Sequence, residues 1–151
     1  MSQNRRRILI VLCAAWWAGA TPSCAADAGI VKTLQGKVTL ERAAQRHEIK
    51  VGDAVQEKDR IIVSGDSSVG ISMHDETLLS LGPNSTMVIG AFAYNPVTRE
   101  GQVETSILKG TLRYVTGLIG RANPSAIKVF TPTSTMGIRG TEFIVDVPAN
   151  D

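Results

Sequence analysis

Few side chains in this sequence have the type and spacing for chemistry. Ser67, in Gly65-Asp66-Ser67, is a candidate nucleophile only if a histidine base reaches it. The one histidine downstream is His74, only seven residues on and in the adjoining strand or turn. The Gly-x-Ser-x-Gly elbow of a serine hydrolase is absent. Metal ligation rests on His47 beside Glu48 and His74 beside Asp75 and Glu76. Neighbouring residues on a strand point to opposite faces, so these pairs are poor co-ligands. Asp53, Asp59 and Asp75 form an acid pair only if the fold gathers them. The mature chain also holds only five aromatic residues, Phe92, Tyr94, Tyr114, Phe130 and Phe143, too few for a sugar-stacking platform once a core has claimed the phenylalanines. The expectation is a protein with no catalytic residues, no metal and no cofactor. Arg139 is the exception worth following. Gly137 and Gly140 bracket it, and a guanidinium there can clamp a carboxylate or phosphate.

The elements that must position these residues begin after a leader. Arg5, Arg6 and Arg7 precede an uncharged run from Ile8 to Ala20, and small residues follow to Ala25 and Ala26. That order is a secretory signal over residues 1–26, expected as a helix, with the domain in 27–151. The apolar run falls short of the roughly 20 residues that span a bilayer, so no membrane span is expected in the mature form. An uncut anchor, a lipid on Cys24 and a twin-arginine signal are the competing readings of this stretch. Thr21, Pro22 and Ser23 lack the leucine usual before a lipidated cysteine, and no Phe-Leu-Lys follows the arginines. Loss of the leader takes three of the 16 basic residues and none of the 14 acids, leaving a net charge of −1. No basic patch remains to favour nucleic acid. Cys13 and Cys24 both lie in the leader, so no disulfide is expected within the domain.

From Gly29 onward apolar residues alternate with polar ones, as in Val38 and Leu40, Val69, Ile71 and Met73, and Phe143, Val145 and Val147. A period of two marks strands with one buried face. Turn residues recur about every ten positions. The best helical window, Thr116–Arg121, is short and weakened by Gly117 and Gly120. An all-β roll or sandwich of short antiparallel hairpins is expected, with no parallel βαβ unit. Leu34-Gln35-Gly36-Lys37-Val38-Thr39-Leu40 matches Leu108-Lys109-Gly110-Thr111-Leu112-Arg113-Tyr114 in pattern, a faint internal repeat with glycine at the entry to each strand.

Gly36-Lys37-Val38, Val51-Gly52-Asp53, Asp59-Arg60-Ile61, Gly65-Asp66-Ser67-Ser68, Gly82-Pro83-Asn84-Ser85, Leu108-Lys109-Gly110 and Gly140-Thr141-Glu142-Phe143 follow in an order that resembles the FecR domain, over roughly residues 30–147. The resemblance implies an all-β periplasmic module, which in the iron-citrate regulator relays a signal between an outer-membrane transducer and an anti-sigma segment. This sequence shows neither a cytoplasmic segment before its apolar run nor a transducer-contacting region after the module. It stops soon after Phe143, where many relatives add another hairpin, and so reads as a short stand-alone variant, a truncated gene or a fragment. Gly36, Gly52, Asp53, Gly65, Gly82, Asn84, Gly110, Gly140, Thr141 and Phe143 are expected to be structural, with Gly52 and Gly82 in turn dihedrals that suit glycine. Arg139, Glu142, Ile144 and Asp146 are the candidate contacts. A periplasmic or secreted binding or scaffold module for an envelope protein or polymer is the resulting expectation, with strand addition or self-association through the Glu142–Val147 edge. A structural piece of a larger envelope assembly, or a fragment of a signalling regulator, is the alternative.

Overall fold

A computed structural model of the chain describes residues 26–148. The leader with Cys13 and Cys24, and the helix expected for it, lie outside the described residues. Twelve strands account for most of the described chain: β1 (Asp27–Gln35), β2 (Val38–Arg42), β3 (Gln45–Glu48), β4 (Ala54–Gln56), β5 (Arg60–Val63), β6 (Ser68–Met73), β7 (Leu78–Leu81), β8 (Thr86–Tyr94), β9 (Gly101–Val115), β10 (Ile127–Phe130), β11 (Thr135–Gly137) and β12 (Glu142–Val147). A five-residue helix, α1 (Leu118–Ala122), and a 3-10 turn at Pro124–Ala126 follow β9. The fold is all-β, as the alternation implies.

The long strand β9 belongs to both layers. Its first part, Gly101–Lys109, pairs with β8 on one side and carries β10 on the other. Its second part, Gly110–Val115, lies between β7 and β12. One layer therefore runs β4-β1-β6-β7-β9-β12, and the other runs β3-β2-β5-β8-β9-β10-β11. Leu40, Ile61, Met87, Ile89 and Ile107 from the second layer and Ile71, Leu79, Leu81, Leu112 and Tyr114 from the first are fully buried in one core. Each such aliphatic side chain contributes about 2 kcal/mol through apolar burial.

One pairing departs from the antiparallel expectation. β10 runs parallel to β9, with Ile127 opposite Val103 and Phe130 opposite Ser106. A return to the start of the same strand needs a crossover, and α1 with the 3-10 turn supplies it. Gly120 is in the helix for packing: a Cβ there would sit 2.3 Å from Ile127 Cδ1 and 2.4 Å from Thr116 Cγ2. The glycines that weaken the helical pattern in the sequence are the ones that let the short helix dock.

The faint repeat is geometrically real. At Gly36 the chain passes from β1 in one layer to β2 in the other, and at Gly110 β9 passes between the same layers in the reverse sense. Both glycines have left-handed backbones, φ +75° and +85°. Each faces a serine in a tight turn. Ser67 Oγ accepts the Lys37 N–H at 2.9 Å, and Ser85 Oγ accepts the Thr111 N–H at 2.9 Å. The backbone repeats the match, with Ser64 N–H bonded to Lys37 O at 3.2 Å and Gly82 N–H to Thr111 O at 3.1 Å. The turns correspond residue by residue, Gly65-Asp66-Ser67 with Pro83-Asn84-Ser85. Asp66 and Asn84 hold their left-handed positions, φ 57° and 54°. This corrects the expectation for Gly82, whose backbone is not left-handed: the strained position falls on Asn84, a residue whose short polar side chain tolerates it.

A Cβ on Gly36 would lie 2.3 Å from Ser67 Oγ, and one on Gly110 would lie 2.3 Å from Ser85 Oγ. Gly36→Ala and Gly110→Ala are therefore each expected to cost about 2 kcal/mol or more, combining backbone strain with displacement of the latch. Gly137 has neither a left-handed backbone nor any atom within 4 Å of where a methyl group would sit, so Gly137→Ala is expected to change stability by no more than about 0.5 kcal/mol. Urea unfolding of the three variants checks this; equal losses at all three positions would refute the latch.

Candidate functional site

The residues singled out for chemistry are held apart by separate structural tasks. Ser67 is buried, and besides accepting from Lys37 it donates to Gly65 O at 3.2 Å. Asp53 Oδ2 accepts the Lys50 N–H at 2.8 Å in an exposed turn, where Gly52 takes φ +97°. Asp59 is fully buried. Arg42 grips it in a fork, Nε to Oδ1 at 2.7 Å and Nη2 to Oδ2 at 2.6 Å, and the Gln56 N–H adds a third bond at 2.7 Å. Arg42 also bonds Ala54 O at 3.1 Å, tying the ends of β2 and β4 together. Asp75, also fully buried, accepts from the Thr77 N–H and hydroxyl at 3.1 and 2.7 Å. The three carboxylates thus serve three different clusters. His47 is exposed on β3, opposite Leu40, and His74 is exposed after β6. Among the described residues no group of three or more His, Cys, Asp or Glu side chains is placed to hold a metal ion.

The C-terminal motif closes the end of β9. Thr116 N–H donates to Thr141 O and Thr116 Oγ1 to Gly140 O, both at 2.8 Å. Phe143 then stacks on Tyr114, with ring centroids 4.9 Å apart and planes 14° from parallel. The Tyr114 hydroxyl below is buried without a hydrogen-bond partner. Thr77 is close by, but its hydroxyl already donates to Asp75 and accepts the Gly117 N–H at 3.1 Å. Burial pushes the phenol pKa well above the ordinary tyrosine range; Thr77 offsets a part of this and the Asp75 charge adds to it.

Two surfaces remain where candidate contacts face solvent. On β12, Phe143, Val145 and Val147 turn inward, and Glu142, Ile144 and Asp146 turn outward, with Ile144 65% exposed. Arg113 on β9 pairs with Glu142 at 2.7 Å, and Thr111 Oγ1 donates to Asp146 at 3.2 Å. β12 bonds β9 along one edge; among the described residues its other edge has no strand partner. The second surface is an open groove of about 580 Å³ beside β10 and β11, with Arg139 in its lining. Arg139 lines this groove, whereas Glu142, Ile144 and Asp146 do not, although Arg139 lies close to Glu142 along the chain. A further depression of about 490 Å³ lies between His74, Phe92 and Tyr94.

The family model described as FecR protein matches residues 59–151. This chain belongs to the FecR family. The match takes in β5 through β12, including both serine turns, the Gly110 crossing and the closing Gly140–Phe143 motif; β1 to β4 fall before it. No curated protein and no solved structure is similar enough to the chain to match it. In this FecR domain, Gly36, Gly110, Asn84 and Phe143 do structural work through the two latches and the aromatic stack. Gly65 has no left-handed φ of its own and precedes Asp66, which does.

Several residues that hold the site were not apparent in the sequence. Arg42 looks like any strand-end arginine until its partner Asp59 comes to lie opposite. Ser85 had a signal, since Pro83-Asn84-Ser85 repeats the polar turn of Gly65-Asp66-Ser67. Thr116 and Tyr114 had none, because their partners come from elements distant in sequence.

Two measurements test these clusters. Tyr114→Phe removes an unpartnered buried hydroxyl and keeps the stack, so it is expected to be neutral or to stabilise by up to about 1 kcal/mol. The neutral phenol is favoured in the folded state, so its contribution is fully present below the unfolded tyrosine value of about 10 and is lost as pH rises through the higher folded value. Unfolding free energy should accordingly fall faster above pH ~10 in the native protein than in Tyr114→Phe; parallel curves would contradict the assignment. Arg42→Ala strands a buried carboxylate and is expected to cost about 3 kcal/mol, near the low end for such pairs because Arg42 keeps part of its surface in water. Arg42→Met combined with Asp59→Leu should recover only part of that in chemical denaturation, since the Gln56 N–H loses its acceptor.

Proposed function

We propose that this FecR domain works outside the cytoplasm as a non-catalytic binding module that docks an envelope protein on β12. The observation that carries the reading is the edge of β12: a strand paired on one side, with the exposed Ile144 between two carboxylates on its outward face. An unpaired strand edge is a template for a further strand. Glu142 and Asp146, tied to Arg113 and Thr111, are held in order beside Ile144, which stays 65% exposed, and Asp146 adds a carboxylate with no ion pair among the described residues. Export is supported by the charged, apolar and small-residue order of the leader. Among the described residues no helix is long and apolar enough to cross a membrane. The partner is a protein that supplies an extended segment with an apolar side chain opposite Ile144; a second copy of the chain satisfies the same geometry.

Photo-crosslinking in intact cells tests the reading. A crosslinking residue at position 144 should yield a discrete adduct from the exported protein. Asp146→Lys in the same chain should weaken it several-fold. A crosslinker at Val97, the exposed tip between β8 and β9, should not give that adduct. Retention of the chain in the cytoplasm, or the same adduct from both positions, would overturn the proposal.

A further inference from the structure

The groove at β10 and β11 concerns a different surface and holds whatever β12 contacts. β10 and β11 form a hairpin in which Lys128 lies opposite Gly137 and Phe130 opposite Thr135. Lys128, Thr135 and Gly137 are all exposed. At Gly137 the outward face has no side chain, and nothing lies within 4 Å of where its Cβ would be. The resulting depression is bounded by Ser125 on the 3-10 turn and by Ile138 and Arg139 beyond β11. Its volume, about 580 Å³, falls in the range of roughly 300–1,000 Å³ usual for ligand sites.

The charge in this groove is one-sided. Its lining holds Lys128 and Arg139 and no acidic side chain. Lys128 makes one long contact, 3.5 Å to Glu104, whose Oε1 is already engaged by Gln102 Nε2 at 2.8 Å. Arg139 forms no ion pair among the described residues. Pro124, Ile127 and Ile138 give the groove an apolar wall beside the hydroxyls of Ser125 and Thr135, and the outer edge of β11 pairs with no other strand among the described residues. A bare phosphate would use the cations and leave the apolar wall and the strand edge idle. An extended peptide uses all three: backbone on the edge, an aliphatic side chain on Ile138, a carboxylate on the guanidinium.

From this we infer that the groove between the 3-10 turn, β10 and β11 is a binding site for an extended acidic peptide, with Arg139 taking its carboxylate and the missing side chain of Gly137 giving it room.

Fluorescence anisotropy with two labelled five-residue probes, alternating valine with glutamate or with glutamine, tests this on the mature chain. The glutamate probe should bind roughly tenfold tighter at low salt, as a charge-assisted bond predicts, and the advantage should shrink as salt is raised. Arg139→Ala should erase the preference and leave the glutamine probe unchanged. Gly137→Leu should weaken both probes by roughly tenfold or more without lowering the thermal midpoint, since the position is open. Ile144→Lys on β12 should leave both affinities as they are. Equal affinity for the two probes, or a preference that survives Arg139→Ala, would overturn the inference. So would loss of binding in Ile144→Lys in place of Gly137→Leu, or displacement by inorganic phosphate that Gly137→Leu does not affect, which would mark a small-anion site.

Discussion

The two passages between layers, at Gly36 and Gly110, are the constraint on which the rest of this domain depends. A strand that leaves one sheet for another must break its ladder, and the freed N–H needs a new acceptor. Here the acceptor is a serine hydroxyl in each case, Ser67 for Lys37 and Ser85 for Thr111, at the same distance of 2.9 Å. Only glycine fits against the serine, so residue type, dihedral and hydrogen bond are mutually fixed. The turns that present the serines, with Asp66 and Asn84 left-handed, also join β5 to β6 and β7 to β8. One latch thereby ties β1 and β2 to β5 and β6, and its repeat ties β9 to β7 and β8. The result is a core closed by both layers without any disulfide among the described residues.

That closure explains why polar residues that look reactive in isolation are occupied. Asp59 neutralises Arg42 where β2, β4 and β5 meet, and Asp75 organises Thr77 against the end of β9. Such buried carboxylates are stable only when fully bonded. Both meet that condition. Among the described residues two buried side-chain atoms lack a partner, Thr105 Oγ1 and the Tyr114 hydroxyl, the latter because its ring lies beneath Phe143. The stack and the apolar burial outweigh an unmade hydrogen bond, and the same burial, by desolvating the phenolate, shifts the phenol pKa upward. Side chains free to meet other molecules are left at the periphery, on β12 and around the β10–β11 hairpin.

Family membership and the structure agree on which part of the chain carries the pattern. The matched residues, 59–151, begin at Asp59, the buried acid whose partner Arg42 lies before the match. The earlier strands are thus bonded into the matched part through an ion pair and through the Gly36 latch. Between Arg139, which lines the β10–β11 groove, and Glu142 on β12, Thr116 holds Gly140 and Thr141 through their carbonyls.

The strands, their buried faces and the turn positions were legible in the sequence, because alternation and turn chemistry are local properties. Val38 and Leu40, Val69, Ile71 and Met73, and Phe143, Val145 and Val147 face the core as their period of two requires. The repeat around Gly36 and Gly110 was visible as a pattern, and the glycine followed by an alternating run is what a layer crossing needs. What tertiary structure alone decided lies in pairs distant along the chain: Ser67 on Lys37, Arg42 on Asp59, Thr77 beside Tyr114, the parallel return of β10 onto β9. The same holds for the groove. Gly137 and Arg139 were conspicuous in the sequence, but the open face at Gly137 and the second cation, Lys128, come from the pairing of β10 with β11. A single residue's conformational preference is written in its side chain, whereas a partner's approach is set by the summed geometry of the strands between them.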